Sequence, residues 1–576
     1  MDRNLAQFTN SPYDLLIIGG GIYGATLAWE ATLRGLSVAL IEKLDFGSAT
    51  SANSLKVIHG GLRYLQHADF KRTRESIAER QILMRIAPHL VHPLPVMMPT
   101  YGYGMKGRHA FWAGLTLYDL IGFDRNRGID RQKHIPAGEI ISKEDCLKIA
   151  PGLSQDGLNG GAIFYDAQVY NSERLIISFL KSAVEAGAHV ANYVEASGFI
   201  LQQNCVKGIH AKDNLTGDSL NINAKMIVNT SGPWINSVLR LLNGLKPEAP
   251  IRFAKAINLV TRPLFEKYAV GISGQREYQD KDAIISKGSR FFFIAPWRDK
   301  ALVGTEYLVY EGDPNAMMVT EKEIQNFITE VNRAYAAAKL TMEDVSFVHA
   351  GLVPMTSYDS DSNSIQLTKH YQIQDHRRQG VEGLISVVGV KYTTARDIAQ
   401  KVVNYIYKRD NKDAPPSTSA FKTLYGGKIE QFKAFLKSET ANNSATLPEY
   451  VTSRLIYNYG SAYSNVLNYL DNQERNSLTT ALLQAETRYA VREEMAQKLT
   501  DVIFRRTEIG SAEHPGETVV RLCAETMQVE LGWSQTQTVQ EITEVNERFI
   551  PGYYGNYKTR MGSSTVQQIS PQAKKI

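Results

Sequence analysis

At 576 residues, with 43% hydrophobic and 21% charged content and a net charge of +5, the chain has room for about two to four ordinary globular domains. The mild charge excludes a bulk nucleic-acid binder. Three widely separated cysteines, Cys146, Cys205 and Cys523, lack metal-ligand spacing and point to a reducing compartment without structural zinc, so no metal is expected. No apolar run approaches the roughly 18 residues of a membrane span. Residues 1–13 are polar, have none of the apolar stretch of a secretory signal, and are expected to form a loose leader. Residues 14–64 then organise the chain. A buried-strand run at 15–18 passes directly into Gly19-x-Gly21-x-x-Gly24, a helical segment follows, and a second apolar strand at 38–41 ends on Glu42. This strand–turn–helix–strand unit, with an acid about 20 residues past the glycines, is a dinucleotide-binding arrangement. The first glycine permits the turn, the second lets backbone approach a pyrophosphate, and the third lets the helix pack close to the strand. The diphosphate rests on orphan N–H groups at the helix N-terminus, and Glu42 accepts hydrogen bonds from ribose hydroxyls. Residues 46–54 form a small-residue loop suited to wrapping phosphate oxygens. In His59-Gly60-Gly61-Leu62-Arg63-Tyr64, two glycines beside a histidine, an arginine and a tyrosine indicate backbone passing close to a ligand.

Residues 69–87 have the pattern of a charged amphipathic helix stopped by Pro88. Residues 111–123 (FWAGLTLYDLIGF) are strongly apolar and follow Lys106, Arg108 and His109. A basic flank beside an aromatic face is the form of an interfacial helix. A single short apolar segment is nevertheless assigned to a core or domain-interface helix. Residues 161–194 give a second strand–helix–strand unit. Asn171 or Ser172 caps its helix, Leu175, Phe179 and Leu180 share one side, Gly187 ends it, and 189–194 form the strand. A strand at 226–230 runs into Ser231-Gly232-Pro233-Trp234, another close backbone approach. Between 250 and 310 the alternation is β-type, with aromatic runs, and predicts an antiparallel sheet inserted between pieces of the nucleotide domain. Residues 320–338 are predicted helical. At 383–397 the chain reads GLISVVGVKYTTARD: a buried strand ends on Gly389, and Lys391, Thr393 and Thr394 open a helix where α/β folds place ligands. Residues 413–419 are a linker. Residues 428–545 are mostly helical in pattern, with Val491, Met495, Leu499 and Val502 on one stripe. From Arg548 the chain has no acid and carries Lys558, Arg560, Lys574 and Lys575; residues 546–576 are expected to be a disordered basic tail.

The order and spacing of the nucleotide unit, HGGLRYL, NTSGPW and GVKYTTARD resemble the FAD-dependent glycerol-3-phosphate dehydrogenases and oxidases, over about residues 12–545. YAVREEMAQKLTDVIFRRTEIG is similar to that family's helical cap domain, and GTEYLVYEGDP to one of its sheet motifs. The resemblance implies an α/β fold (α+β overall): a Rossmann-like FAD-binding domain, an inserted antiparallel-sheet substrate domain and a C-terminal helical domain. Within an oxidoreductase region at 12–412, the FAD-binding segments are expected near 12–65, 160–245 and 345–412, and the substrate-domain segments near 66–159 and 246–344. The helical domain is expected at 420–545. The cofactor implied is FAD, with hydride passing from C2 of glycerol 3-phosphate to flavin N5, and electrons then to quinone or oxygen.

By the same resemblance, Gly19, Gly21, Gly24 and Glu42 carry over as the diphosphate and ribose site. Thr50 and Ser51 carry over as loop contacts, Val194 as the adenine contact, Ser231 and Gly232 as the distal contact, and Gly389, Lys391 and Thr393 as the flavin-side strand end. Arg63, Tyr64 and Lys391 are the implied substrate contacts. His59, by residue type a candidate general base, joins Arg63 and Lys391 as a catalytic candidate. Fixed positive charge there suits a phosphate monoester. The substrate half departs from the family. Its phosphate-binding arginine before a proline is Val353 here, and valine supplies no bidentate pair. The final Thr-Asp of its GTTD-like motif is Glu306-Tyr307, and its KGSH-like strand is Lys255-Ala256-Ile257-Asn258. These departures leave two alternatives: an enzyme of this architecture acting on another alcohol, hydroxy acid or amine, or a non-catalytic flavin-binding protein. A cytoplasmic location is expected, with peripheral contact at the inner face of the membrane and a homodimer as further expectations.

Overall fold

The computed structural model describes residues 1–102, 107–242, 250–279, 287–359, 364–470 and 477–550. Two sheets and a helical domain build it. The first sheet grows from β1 (Tyr13–Ile18) and β2 (Val38–Ile41), joined by α1 (Ile22–Leu33). Its spatial order is Gln372–Asp375, Leu384–Val388, Ser219–Asn229, β1, β2 and His189–Ala191. Along this order all neighbours are parallel except the antiparallel Gln372–Asp375 edge, and Ser219–Asn229 continues antiparallel to Cys205–Asp213 and then Val194–Gln202. Parallel strands need both faces covered, and Leu15, Leu16 and Ile17 are fully buried. Each such large aliphatic side chain contributes about 1.5–3 kcal/mol by leaving water.

The second sheet is the inserted one. Its order is Ser364–Leu367, Val345–Asp359, Arg252–Thr261, Lys300–Tyr310, Lys287–Trp297, Ala269–Gln279, Val91–Tyr101, Leu158–Val169 and Val57–Ile58. It is antiparallel except where Ala269–Gln279 meets Val91–Tyr101. This corrects three expected boundaries. Val345–Asp359 pairs with Arg252–Thr261 over ten residues of register, so the chain re-enters the nucleotide sheet only at Gln372. Leu158–Val169 and Val57–Ile58 also belong to the inserted sheet. Conversely, α2 (Phe70–Ile86), capped by Asp69, buries Leu83, Met84 and Ile86 in the core of the nucleotide half.

Three further expectations change. The first thirteen residues are anchored: Phe8 is buried, Arg3 pairs with Asp213 at 2.7 Å, and the terminal amine donates to the Glu493 carbonyl at 2.7 Å. The segment assigned to core is α3 (Arg108–Ile121), which buries only Leu115 and Tyr118. Trp112, Leu117, Leu120 and, just beyond, Phe123 are exposed, the last at 82%. Periodicity identifies an apolar face but not whether another element covers it. The stripe at 491–502 is not one helix either. The helix Leu478–Glu494 ends at Met495 in a left-handed conformation, and a new turn begins at Leu499. All but one of the tail cations, Arg548, lie outside the described residues.

The helical domain is attached by buried charge. Asp45, in the loop just past β2, accepts from Arg506 Nη1 and Nη2 at 2.8 and 2.7 Å and from Arg505 Nε at 2.5 Å. Asn192 Nδ2 donates to it at 3.0 Å. Arg505 also donates to Asp501 at 2.6 Å, which accepts the Tyr193 hydroxyl at 2.7 Å. Burial alone pushes the Asp45 pKa up, but the two guanidinium groups outweigh it and hold the carboxyl well below its usual range. Beside it, Arg174 grips Glu494. Removing one partner strands buried charge, which costs about 3–5 kcal/mol. Asp45→Asn is therefore expected to lower unfolding stability by about that amount in a urea titration, and to weaken FAD retention, because the same loop leads into residues 46–54. A loss below about 1 kcal/mol would show that the network is not what joins the two halves.

Candidate active site

A cavity of ≈ 510 Å³ lies between the two sheets, at the carboxyl ends of β1, β2 and Leu384–Val388. That is where an open α/β sheet binds ligands. Its nucleotide end is shaped by backbone. A Cβ on Gly24 would lie 1.9 Å from the Gly19 carbonyl, and one on Gly19 would lie 2.8 Å from the Ser231 Cα. Gly24 is thus the helix–strand packing glycine and does not line the cavity, whereas Gly19 and Gly21 do. Gly21 opens α1 with no side-chain cap, although the Ile22 N–H is held by Ser51 Oγ at 3.1 Å. The remaining N-terminal N–H groups suit an anion.

Glu42 lines the cavity and receives the Gly20 N–H on Oε2 at 2.7 Å and the Leu44 N–H on Oε1 at 2.9 Å. Burial raises its pKa against these two donors, and each carboxylate oxygen keeps a second lone pair for a ribose hydroxyl. Thr50, Ser51, Val194, Ser231, Gly232, Gly389, Lys391 and Thr393 all line the same cavity. Thr50 also clamps the inserted sheet, since its Oγ1 donates to the Leu352 carbonyl at 2.9 Å and accepts the Leu352 N–H at 3.1 Å. Val194 begins a strand rather than ending one, and its N–H is held by the Glu42 carbonyl at 2.8 Å. Gly389 lies where Tyr23 passes: a Cβ there would meet the Tyr23 ring at 2.1 Å. The Tyr23 hydroxyl donates to the Lys391 carbonyl at 2.7 Å and accepts the Val390 and Lys391 N–H groups, both at 3.1 Å. This cradle of glycines, open helix N–H groups and a ribose acceptor fits FAD.

At the other end stand His59, Tyr64 and Lys391. The Lys391 Nζ lies 3.7 Å from the centre of the Tyr64 ring, a cation–π contact. Burial, then the charge of Arg72, push the Lys391 pKa down to about 7. The His59 Nδ1 lies 3.0 Å from Asp166 Oδ2, and Asp166 Oδ1 accepts the Gly60 N–H at 2.6 Å. Burial works to raise the Asp166 pKa, but the His59 hydrogen bond, the nearby Arg80 and the Gly60 N–H together hold it down. An ionised Asp166 accepts the Nδ1 proton and leaves Nε2 of His59 as the acceptor. The pattern missed Asp166; its signal was a lone acid inside the otherwise apolar run GAIFYDAQV.

Arg63 is exposed on the 3₁₀ turn Leu62–His67 and is not part of the cavity wall. Val353 does line the cavity, as do Asn258, Thr305 and Tyr307, none of which pattern alone identified as site residues. Thr305 donates to Asn258 Oδ1 at 2.8 Å. Strand alternation settles the orientation of Glu306: its neighbours at 305 and 307 face the cavity, and Glu306 is buried on the opposite face. Lys255 is also turned away, donating to the Met318 carbonyl at 2.8 Å and to Glu323 at 2.5 Å.

Comparison with known proteins agrees with this geometry. Residues 14–390 match the family described as FAD dependent oxidoreductase, and residues 417–538 match the C-terminal domain of alpha-glycerophosphate oxidase. A glycerol-3-phosphate dehydrogenase of Synechocystis sp. is 33% identical over 95% of this chain and 98% of its own. The aerobic glycerol-3-phosphate dehydrogenase of Staphylococcus haemolyticus is 30% identical over 93% and 94%. The structure of the glycerol-3-phosphate dehydrogenase from Bacillus halodurans, complexed with FAD, superposes with a TM-score of 0.75 at 25% identity, covering 98% of each chain. The chain is an FAD-dependent oxidoreductase and belongs to the glycerol-3-phosphate dehydrogenase family.

Proposed function

We propose that the protein oxidises sn-glycerol 3-phosphate to dihydroxyacetone phosphate and passes the electrons to a membrane quinone. The observation that carries the reaction is the grouping of His59, Tyr64 and Lys391 at one end of a cavity whose other end fits FAD. The chemistry supplied by bound FAD is acceptance of the C2 hydride at N5. The residues of the chain position and deprotonate. His59 Nε2 takes the C2 hydroxyl proton, and Asp166 holds the ring and stabilises the charge it gains. Lys391, while protonated, supplies positive charge for the substrate's anionic group. Asn258 and Thr305 bring polar contacts from the inserted sheet. Anaerobic addition of glycerol 3-phosphate is expected to bleach the flavin, and the Asp166→Asn variant to do so about a hundredfold more slowly with unchanged FAD content. Bleaching by other alcohols, hydroxy acids or amines but not by glycerol 3-phosphate would reject the substrate. An Asp166→Asn rate within threefold of the parent would reject the base.

The acceptor reading rests on α3. Its exposed face, Trp112, Leu117, Leu120 and Phe123, follows helical spacing. The exposed cations Arg108, Arg127 and Arg131 lie along the same segment. Of the acids nearby, Asp119 pairs with Arg125 at 2.8 Å and Asp124 with Arg74 at 2.5 Å, while Asp130 accepts backbone N–H groups and Glu139 is exposed. An apolar face flanked by exposed arginines suits an anionic lipid surface, and a site docked there delivers electrons to quinone. The holoenzyme is expected to co-sediment with vesicles containing anionic phospholipid. Leu120→Glu with Phe123→Glu removes about 3 kcal/mol of apolar burial and is expected to weaken binding about a hundredfold while dye-linked oxidation continues. Vesicle binding that the double variant leaves unchanged would contradict this attachment.

A further inference from the structure

The cavity's cations do not follow the distribution expected for phosphate recognition. Val353 contributes no charge, Lys255 is engaged by Glu323, Lys56 is buried against Glu173 at 3.0 Å, and Lys43, also on the wall, donates to Asn315 at 2.8 Å and stacks on Trp234. Lys391 remains at the cavity wall, and beside it stands a cation that no motif pointed to. Arg72, in the first turn of α2, places its guanidinium carbon 4.2 Å from the centre of the same Tyr64 ring that carries the Lys391 ammonium at 3.7 Å. The arginine is held, not loose. Its side chain is 12% exposed, its backbone N–H is capped by Asp69 at 3.0 Å, and the Asp69 carboxylate lies 3.6 Å from its Nη1. A third basic group, His370, feels both charges: burial and then Arg72 and Lys391 lower its pKa.

Two like charges stacked on one ring repel each other, and Asp69 is the acid among their described ion-pair partners. Such a pair is held at an electrostatic cost that an arriving anion relieves. The geometry also separates the roles. Lys391 and Tyr64 form cavity wall, whereas Arg72 does not. Arg72 therefore acts on an anion at Lys391 through the shared Tyr64 ring, from about 8–10 Å. A unit charge at that range in a partly desolvated site is worth about ten- to thirtyfold in affinity.

We propose that Arg72 is a specificity-determining positioning residue: stacked on Tyr64 with Lys391, it supplies the fixed positive charge that selects a phosphate-bearing substrate in place of the arginine absent at Val353. The proposal rests on the reading of the substrate as a phosphate monoester. Its test does not depend on turnover. Inorganic phosphate is titrated calorimetrically into the holoenzyme and into the Arg72→Gln and Arg72→Lys variants, and KM and kcat for glycerol 3-phosphate are measured alongside. Arg72→Gln is expected to weaken phosphate binding at least tenfold and to raise KM by a similar factor, with a smaller change in kcat. Arg72→Lys, which keeps the charge, is expected to stay within threefold of the parent. Equal phosphate affinity in the parent and Arg72→Gln overturns the proposal, as does equal loss in both variants, which would make the role one of packing, or no phosphate binding by the parent. Phosphate binding that depends on Arg72 in an enzyme inert toward glycerol 3-phosphate keeps the proposal and rejects the substrate.

Discussion

The cofactor site depends on how Asp45 is held. The residue follows β2 by four positions and precedes the loop that carries Thr50 and Ser51, so its position determines where that loop runs. Two arginines from the helical domain and Asn192 from the end of a neighbouring strand converge on its carboxylate. A buried charge is tolerable only when its partners are all present. The helical domain is therefore more than an appendage: without Arg505 and Arg506, Asp45 has no reason to stay buried, and the wall between Glu42 and Ser51 loses its anchor. From the other side Thr50 ties the same loop to Leu352 in the inserted sheet. One short segment thus couples three parts of the chain around the cavity.

What could be read from the sequence divides along the same line. The nucleotide half was legible because its constraints are local. Gly24 is a glycine since any Cβ would strike the Gly19 carbonyl, and Gly389 since Tyr23 occupies the space. The first constraint acts within five residues, and the second, though Tyr23 lies far away in sequence, falls inside the contiguous strand-end pattern GVKYTTARD. The substrate half is assembled by pairing between distant strands, so Asn258, Thr305 and Tyr307 become neighbours only through register. Asp166 reaches His59 across 107 positions. Arg63, carried over by its motif, is exposed, whereas Arg72, nine residues later and in no motif, stands beside Tyr64. The fate of α3 was illegible for a different reason. An amphipathic pattern states which side is apolar, and only the three-dimensional arrangement states that no described element covers it.

The altered residues of the substrate half no longer pull in several directions. Glu306 faces away from the cavity, so it imposes no repulsion on an anion there. Lys255 faces away as well and is engaged. The departure that reaches the cavity wall is Val353, an apolar side chain lining the same cavity as Tyr64 and Lys391. Lys391, which the resemblance already implies, stays on the wall, and Arg72 of α2 stands beside it on the Tyr64 ring. The cradle fits FAD, and the proposed reading draws the anion toward Lys391 and Arg72.

The most direct measurement of this account is a crystal structure of the FAD-loaded enzyme with dihydroxyacetone phosphate bound. The account predicts the phosphate beside Lys391 and Tyr64, with the Arg72 guanidinium still stacked on the ring and the carbon bearing the former hydroxyl within reach of His59. A phosphate seated against Val353 and Pro354, remote from Lys391, would contradict it.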